Sequence, residues 1–426
     1  MKCLIEVYGC QMNVHDGEIL AGILIQSGHE LTDEISEAEA VLVVTCAVRE
    51  HAETRALGRL THLAGLCSSR RPVMVLCGCV AQEHGSSLLK KMKVLDFVVG
   101  PDEYHRLPEL LSKGGRKALT TQGEENYEGF TPVRTEFPRA FVNIIRGCDN
   151  YCTYCIVPYV RGTERSRSPE LITAEVAQLV EEGYGEITLL GQNVNSYTFE
   201  KTRFPQLLAQ VSDIAGDRCR IRFVTSHPRD LSEELAMVMA SRKNICKSFH
   251  LPVQSGSDRV LKAMNRGYTR KGYLEKVAML RDLMPDIVLS TDMIAGFPGE
   301  TPEDFQKSVS LLDEVRYDYA FLFRYSERKG TEAAEMSPSV PVEERLRRLY
   351  VLQDLQGRVT MEKSKALVGR EMPVLVTGTA RRPGQLASRT GGNRMVILEN
   401  CEYEPGETVQ VRITAADGYT HFGEPV

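Results

Sequence analysis

Short strand-like runs alternate with helix-length stretches through most of this 426-residue chain. Strands that are joined through helices run parallel, because a helical crossover returns the chain to the same end of the sheet. Residues 1–120 are therefore predicted to form an α/β domain with a doubly wound parallel sheet. Its strand candidates are Leu4–Tyr8, Ala40–Val44, Val73–Leu76 and Phe97–Val99.

A second alternating series follows a polar segment at residues 121–137, whose glycines and prolines are typical of a linker. The pairs Ser168-Pro169 and Thr301-Pro302, each followed by glutamate, are strong helix-start signals. Six strand–helix repeats predict a partial (β/α)6 barrel over residues 138–368, including a final helix at 343–368. The strand candidates are Ala140–Ile145, Glu186–Leu190, Arg220–Val224, Lys247–Leu251, Ile287–Thr291 and Tyr319–Phe323.

The remaining residues, 369–426, contain short strands separated by turns, which predict a small antiparallel β-barrel of the oligonucleotide-binding kind. The net charge of −5 does not favour a polyanion-binding protein, so any nucleic-acid contact depends on local patches. Charge runs of this kind are more often solvated faces. The two candidate patches are Arg161, Arg165 and Arg167, and the C-terminal group Arg370, Arg381, Arg382, Arg389 and Arg394.

Twelve cysteines occur in a chain that shows neither a secretory signal nor an apolar run long enough to cross a membrane. The first apolar run, Leu4–Val7, is interrupted by Glu6. Disulfides are rare in reducing compartments, so this cysteine content favours a cytoplasmic protein with metal chemistry and no membrane association.

Cys148, Cys152 and Cys155 have the spacing C-x3-C-x2-C directly after the first barrel strand. Three thiolates can ligate three irons of a [4Fe–4S] cluster and leave the fourth iron open to a substrate or cofactor, such as S-adenosylmethionine (SAM). A zinc site usually shows a second ligand pair, and none follows here. A disulfide framework is unexpected in a long chain without a secretory signal.

Three strands of the first domain also end at a cysteine: Cys10, Cys46 and Cys79. Because ligands of parallel sheets bind beyond the carboxyl ends of the strands, these thiols are predicted to meet at a second three-cysteine site. The alternative is that each one is a small buried hydrophobic residue. Cys77 lies inside its apolar run, which favours packing.

With these features together, the chain resembles the radical SAM methylthiotransferases along nearly its whole length, and within them the branch that acts on isopentenyladenosine in tRNA. That family has an N-terminal cluster domain, a radical SAM barrel and a C-terminal TRAM domain. The branch assignment depends on Gln11-Met12-Asn13. The matching segments are residues 8–16, 146–159 with Arg161-Gly162, 251–257, 265–268, 292–300, and Arg389-Thr390 with Asn393-Arg394.

The resemblance implies two [4Fe–4S] clusters and SAM as cofactors. Cys10, Cys46 and Cys79 would hold an auxiliary cluster that supplies sulfur, and the other triplet the cluster that cleaves SAM. The substrate would be the anticodon stem-loop of tRNA, methylthiolated at C2 of N6-isopentenyladenosine beside the anticodon. Further partners would be an electron donor such as flavodoxin or ferredoxin and the iron–sulfur assembly machinery.

The resemblance also implies polar contacts to SAM or substrate at the strand ends of the barrel. The segment after the second strand stands where the family binds the SAM amino group, but it lacks the acidic residue of many radical SAM enzymes. For the histidines, a structural hydrogen bond is the alternative. The residues are Tyr154, Gly191, Gln192, Asn193, Ser226, His227, His250, Gln254, Asp292, Ile294, Gly296 and Arg324, with Arg381, Arg382, Arg389 and Arg394 as RNA contacts.

Two other functions remain open at this point. Within the family, the substrate can instead be threonylcarbamoyl-adenosine in tRNA or an aspartate of a ribosomal protein. Outside it, the chain can be a non-catalytic iron–sulfur protein that binds RNA or senses redox state. The second alternative has no need of a SAM-binding barrel or an open iron.

Overall fold

The computed structural model describes residues 1–47, 50–66 and 71–426. The first part of the chain is a six-stranded sheet in the order β2-β1-β3-β4-β5-β6, and every neighbouring pair is parallel. Its strands are β1 (Lys2–Tyr8), β2 (Glu30–Leu31), β3 (Ala40–Thr45), β4 (Val73–Gly78), β5 (Phe97–Val99) and β6 (Lys117–Leu119), and its helices are α1 (Gln11–Gln26), α2 (Glu50–Leu66), α3 (Cys79–Lys91) and α4 (Leu107–Lys113).

The central strands of this sheet are buried on both faces, and β3 is buried along its whole length. Alternate residues of β3 and β4 belong to two separate apolar clusters, one on each side of the sheet. Apolar cover on both faces is the property that makes an all-parallel sheet stable. The predicted doubly wound parallel sheet is confirmed.

The central part of the chain contains two three-stranded parallel sheets, β13-β10-β7 and β14-β15-β16. A parallel bridge between Ile221 and Ile245 joins them into an open six-stranded barrel, which confirms the predicted architecture. The barrel strands are β7 (Arg139–Asn143), β10 (Glu186–Leu190), β13 (Arg220–Phe223), β14 (Ser248–His250), β15 (Val288–Ala295) and β16 (Tyr319–Arg324), with the short strands β8 (Ile145–Arg146), β9 (Arg165–Ser166), β11 (Thr198–Phe199) and β12 (Thr202–Arg203) outside it.

Helices cover the outside of the barrel and bury one large apolar cluster against the strands. The side chains of Ser168 and Thr301 accept hydrogen bonds from the first turns of α6 and α11, so both predicted helix starts are present. The helices are α5 (Val157–Arg161), α6 (Pro169–Glu181), α7 (Phe204–Ala215), α8 (Glu233–Ser241), α9 (Asp258–Ala263), α10 (Arg270–Leu283), α11 (Pro302–Val315) and α12 (Val342–Lys365).

Residues 121–137 contain neither helix nor strand, but they are fastened to the first domain. The Tyr127 ring is buried, its hydroxyl donates to the Pro101 carbonyl oxygen at 2.7 Å, and it accepts from the Tyr104 backbone N–H at 3.0 Å. The Thr135 backbone N–H donates to the buried Glu18 carboxylate at 3.1 Å. The segment therefore packs against the first domain.

The C-terminal part is a closed five-stranded barrel in the order β17-β18-β19-β21-β20. Four pairings are antiparallel as predicted, whereas β19 and β21 run parallel. The sequences of β18 and β21 contain no apolar run that would mark them as strands. The strands are β17 (Glu371–Thr379), β18 (Gln385–Thr390), β19 (Met395–Glu399), β20 (Thr408–Asp417) and β21 (Thr420–Pro425).

The turn between β18 and β19 closes the N-terminal end of the large barrel. Arg220 donates to the Arg389 carbonyl oxygen at 2.9 Å, and the Tyr319 hydroxyl donates to the Gly392 carbonyl oxygen at 2.5 Å. A Cβ on Gly392 would lie 2.7 Å from a Val288 methyl group, so only glycine fits. None of the helices in the described part of the chain has the length and apolar character of a membrane-spanning segment.

Candidate active site

The three strand-end cysteines of the first domain converge at one edge of the sheet. Cys10 precedes α1, Cys46 follows β3, and Cys79 begins α3, while β1, β3 and β4 are neighbours in the sheet. The thiols of Cys10 and Cys46 are within hydrogen-bond reach of each other, and none of the three cysteines forms a disulfide.

Glycines before two of these cysteines allow the close approach of the strands. Gly78 has a φ of +96°, and a Cβ there would lie 2.4 Å from the Thr45 carbonyl oxygen. A Cβ on Gly9 would lie 2.7 Å from the Cys46 Cβ. The Gly-Cys pairs therefore bring the thiols together by leaving out side chains that would keep the strand ends apart.

A buried charge network surrounds the Cys10, Cys46 and Cys79 triplet. The Nε of Arg161 donates to the Cys79 Sγ at 3.2 Å, and its terminal nitrogen contacts Asp16 at 2.6 Å. Hydrogen bonding with Cys46, together with the Arg161 charge and against the effect of burial, lowers the pKa of Cys10 to about 6. Burial raises the pKa of the Cys79 thiol, and Arg161 opposes that rise.

The second triplet lies in the loop between β8 and α5, at the carboxyl end of the first barrel strand. Cys148 and Cys152 are buried, and Cys155 is partly exposed. Burial raises the pKa of Cys148 to about 11 and that of Cys155 to about 12. The Asn150 side chain donates to the Cys148 Sγ at 3.4 Å, and Arg266 donates to the Cys152 Sγ at 3.2 Å.

Both triplets have the chemistry of cluster ligands. Each has three cysteines outside disulfides and one arginine N–H donor to sulfur, and such donors are a usual means of tuning iron–sulfur clusters. Within residues 1–47, 50–66 and 71–426, no three His, Cys, Asp or Glu side chains converge closely enough to bind a single metal ion. A cluster in which each thiolate binds its own iron does not require that convergence.

Three polar atoms at the ends of β10 and β13 fit a polar ligand such as SAM. They are the Asn193 Oδ1, the Ser226 Oγ and the His227 Nε2, which are buried without a hydrogen-bond partner among the described residues. Unpaired buried polar atoms are costly, so these three atoms are available to a bound ligand or to water. Burial lowers the pKa of His227 to about 2, so its ring is neutral.

Gly191 and Gln192 hold the cysteine loop in place. The Gln192 Oε1 accepts from the Gly147 backbone N–H at 2.5 Å, next to Cys148. A Cβ on Gly191 would lie 2.3 Å from the Ile145 side chain, so the close contact with the loop requires glycine. Both residues therefore support the site geometry through protein contacts.

On the opposite side of the barrel, His250 has protein partners for both ring nitrogens. Its Nδ1 lies 3.0 Å from the Ser290 Oγ, and its Nε2 lies 3.4 Å from the Asp292 carboxylate. The structural hydrogen bond considered for this histidine is present. Gln254 is buried with a φ of +67°, and its carbonyl oxygen accepts from the Ile294 N–H at 3.0 Å.

Three other predicted cofactor contacts have different surroundings. Gly296 has a φ of +75° and donates its N–H to the buried Glu300 carboxylate. Tyr154 packs against a cluster that contains Met264 and Phe297. Arg324 ends β16 with its side chain exposed.

The arginines of the two basic patches occupy different environments. Arg381 and Arg382 are exposed, and Arg389 is half-buried. Arg394 is only 7% exposed, because it pairs with Asp318 beneath the large barrel, so its guanidinium is engaged within the protein. The patch at Arg161, Arg165 and Arg167 is wrong as a surface, since these side chains pair with Asp16, Asp102 and Glu175.

Two residues of the 265–268 segment support the cysteine loop, although their sequence alone indicates no role for them. Asn265 donates to the backbone carbonyl oxygens of Asn150 and Tyr151, and Arg266 contacts Cys152. The sequence feature that could have indicated these residues is the match of segment 265–268 to the family, although that match suggests no chemical function.

The first thiol site adjoins the mouth of the barrel. The beginning of α1, with Cys10 and Met12, packs on Phe141 and Leu190 of the first two barrel strands and on Val224 after the third. The auxiliary thiols therefore adjoin the interior of the barrel rather than a separate surface.

Comparison with known proteins finds similarity in separate regions of the chain. Family models match in three regions: the radical SAM superfamily at residues 142–312, "Uncharacterized protein family UPF0004" at 2–100 and the TRAM domain at 365–426. Two solved radical SAM enzymes share the fold. TsrM from Kitasatospora setae has a TM-score of 0.59 at 14% identity and covers 78% of this chain and 77% of its own. OxsB has a TM-score of 0.52 at 12% identity and covers 83% and 56%.

Curated relatives match from end to end. A tRNA-2-methylthio-N(6)-dimethylallyladenosine synthase of Parabacteroides distasonis is 45% identical over 438 residues, covering 100% of this chain and 95% of the relative. The synthase of that name in Chlorobium phaeobacteroides is 43% identical over 433 residues, covering 100% and 97%. The chain therefore belongs to the family of tRNA-2-methylthio-N(6)-dimethylallyladenosine synthases, which are radical SAM methylthiotransferases.

Proposed function

We propose that the protein attaches a methylthio group to C2 of N6-isopentenyladenosine in tRNA, at the position 3′ to the anticodon. The observation that carries the proposal is the presence of two separate cysteine triplets without disulfides, one beside the barrel mouth and one within it. The full-length similarity to synthases of that name supports the choice of substrate.

Cys148, Cys152 and Cys155 would hold one [4Fe–4S] cluster, and Cys10, Cys46 and Cys79 the other. When bound, these groups and SAM supply radical removal of the C2 hydrogen, the sulfur atom and the methyl group. Ordinary acid–base chemistry cannot remove an aromatic hydrogen that is not acidic, which is why a cofactor is needed.

The chain's own residues bind and orient the reacting groups, and they exclude water from the site. Asn193, Ser226 and His227 offer polar atoms to SAM, and Gln192 and Asn265 hold the cysteine loop rigid. The N-terminal end of the barrel is closed by the 389–394 turn, so the adenine enters from the mouth. The base must leave its stack, which costs least in a single-stranded loop.

Other parts of the proposal concern partners and organisation. We assign RNA contacts to Arg381, Arg382 and Arg389. We further propose that an electron donor such as flavodoxin or ferredoxin reduces the protein, and that the iron–sulfur assembly machinery supplies its clusters. The protein acts in the cytoplasm. The division into residues 1–120, 121–137, 138–368 and 369–426 is likewise part of the proposal.

Anaerobic turnover tests this function. The reconstituted protein is mixed with SAM, a strong reductant and isopentenylated tRNA, and the digested nucleosides are analysed by mass spectrometry. We expect the 2-methylthio nucleoside, and none from tRNA that lacks the isopentenyl group. Formation of 5′-deoxyadenosine without that product would reject the substrate. The threonylcarbamoyl-tRNA and ribosomal-protein substrates would then be tested in the same assay.

A further inference from the structure

One buried arginine contacts each thiol triplet. The Arg161 Nε donates to the Cys79 Sγ at 3.2 Å, and an Arg266 terminal nitrogen donates to the Cys152 Sγ at 3.2 Å. Arg161 is 3% exposed and Arg266 is 4% exposed, so neither contact competes with bulk water. Both side chains are fixed by further partners, which makes these contacts directional.

Arg161 also spans two domains. It lies at the end of α5 in the radical SAM segment, whereas Cys79 and Asp16 belong to the first domain. Its terminal nitrogens contact both Asp16 oxygens, at 2.6 Å and 3.3 Å. Asp16 is fully buried and also accepts from Arg146 at 3.0 Å. A bidentate arginine–carboxylate pair fixes the plane of the guanidinium and hence the direction of its Nε–H.

Helix α5 connects the two triplets mechanically. It begins two residues after Cys155 and ends at Arg161. Ile156 and Val160 belong to the same apolar cluster as Cys79 and Val80, so the helix packs into the first domain. The chain thus runs from a thiol of one site to the hydrogen-bond donor of the other within seven residues, Cys155 to Arg161.

We infer that Arg161 is a positioning residue for the auxiliary cluster, which orients Cys79 and tunes the cluster through its N–H donor, and that Arg266 does the same for Cys152. These roles rest on the cluster assignments proposed above. Hydrogen bonds to the sulfurs are a known control of cluster potential, and partners behind a ligand affect metal retention. A positive donor stabilises the reduced cluster, which carries one more electron.

The test uses the full chain with Cys148, Cys152 and Cys155 replaced by Ala, so that only the auxiliary cluster remains. In this background we compare Arg161→Met with Arg266→Met as the matched control. Midpoint potential is measured by electron paramagnetic resonance, and iron loss is followed with a ferrous chelator. We expect Arg161→Met to shift the potential to a more negative value and to speed iron loss by about 10–100-fold. Arg266→Met should change neither, and Arg161→Lys should give intermediate values.

A second variant separates tuning from folding. Removal of Arg161 alone leaves the buried negative charge of Asp16 with fewer positive partners. The double variant Asp16→Asn/Arg161→Met removes both charges and leaves an amide oxygen that accepts from Arg146. We expect this double variant to fold and to keep the altered potential and iron loss. Values equal to those of the parent in either variant would overturn the inference. A wild-type protein that binds only one cluster would instead reject the proposed function.

Discussion

At the scale of single residues, Cys77 and Cys79 show how position decides the role of a cysteine. Cys77 lies within β4 and packs in the apolar cluster on one face of the sheet. Gly78, at a φ of +96°, turns the chain so that Cys79 begins α3 beside Arg161. The packing prediction for Cys77 is confirmed, and burial raises the pKa of its thiol.

The two cysteines form a matched pair of variants. Because Cys79 is proposed as a ligand and Cys77 as packing, Cys79→Ala should lower bound iron from about eight to about four per chain, whereas Cys77→Ala should keep about eight. Iron and sulfide assays on reconstituted protein give the counts. Equal iron content in the two variants would remove Cys79 from the ligand set.

The two triplets should also separate by reaction. We expect Cys152→Ala to abolish 5′-deoxyadenosine formation, because it removes a ligand of the cluster that cleaves SAM. Cys46→Ala should still cleave SAM but stop methylthio transfer. Both products are measured in one anaerobic assay by mass spectrometry. Radical cleavage in Cys152→Ala, or normal product from Cys46→Ala, would contradict the respective assignment.

Glu186, at the start of β10, makes the free energy of unfolding depend on pH. Against the effect of burial, Arg222 and Arg220 lower the pKa of Glu186 to about 2. Between about pH 2 and 4.5 the unfolded chain therefore binds more protons than the folded chain does. The Glu186 carboxylate contributes about 3 kcal/mol to the free energy of unfolding above that range, and this contribution is lost as the pH falls through it. The difference in urea midpoint between wild type and Glu186→Gln should shrink from pH 6 to pH 3. A constant difference would contradict the shift.

At the scale of elements, the segment at residues 121–137 makes contacts that its composition does not predict. Its composition is that of a linker, and it does lack helix and strand. Composition nevertheless gives no information about long-range contacts, such as those of Tyr127 with Pro101 and Tyr104. Helix starts such as Ser168 and Thr301, in contrast, depend on neighbours within four residues and were predictable.

The Tyr127 hydroxyl should therefore matter to stability. Tyr127→Phe leaves the Pro101 carbonyl oxygen and the Tyr104 N–H without this partner, which should cost about 1–3 kcal/mol of unfolding free energy. Tyr419→Phe, at a site that is 58% exposed, is the control and should be nearly neutral. Urea unfolding measures both. A neutral Tyr127→Phe would show that the segment is not fastened by this contact.

At the scale of the molecule, the sequence predicted the three architectures but not how they meet. Hydrophobic periodicity and turn residues are local signals, so the doubly wound sheet, the open barrel and the small barrel could all be predicted from the sequence. The strand-end rule also predicted that Cys10, Cys46 and Cys79 would meet. The partners of Arg161 and Arg394 could not be predicted from the sequence, because an arginine looks the same there whether it binds a phosphate or a buried carboxylate.

This distinction separates the C-terminal arginines. Arg381→Ala/Arg382→Ala should weaken tRNA binding and reduce the slope of log affinity against log salt by about one to two, since two exposed charges are lost. Arg394→Ala should instead destabilise the protein by up to about 3–5 kcal/mol, because it removes a buried partner of Asp318. Binding titrations at several salt concentrations and urea unfolding measure the two effects. Unchanged salt dependence in the first variant would make those arginines a solvated face.

The turn at residues 389–394 has a consequence for evolution by recombination. It belongs to the proposed RNA-binding domain, yet it packs on the base of the large barrel through Arg220, Tyr319 and Val288. A TRAM domain borrowed from another protein would leave that base open unless its own turn matched. The three parts of this chain are therefore not freely exchangeable modules, and successful chimaeras should inherit the tail and the barrel base together.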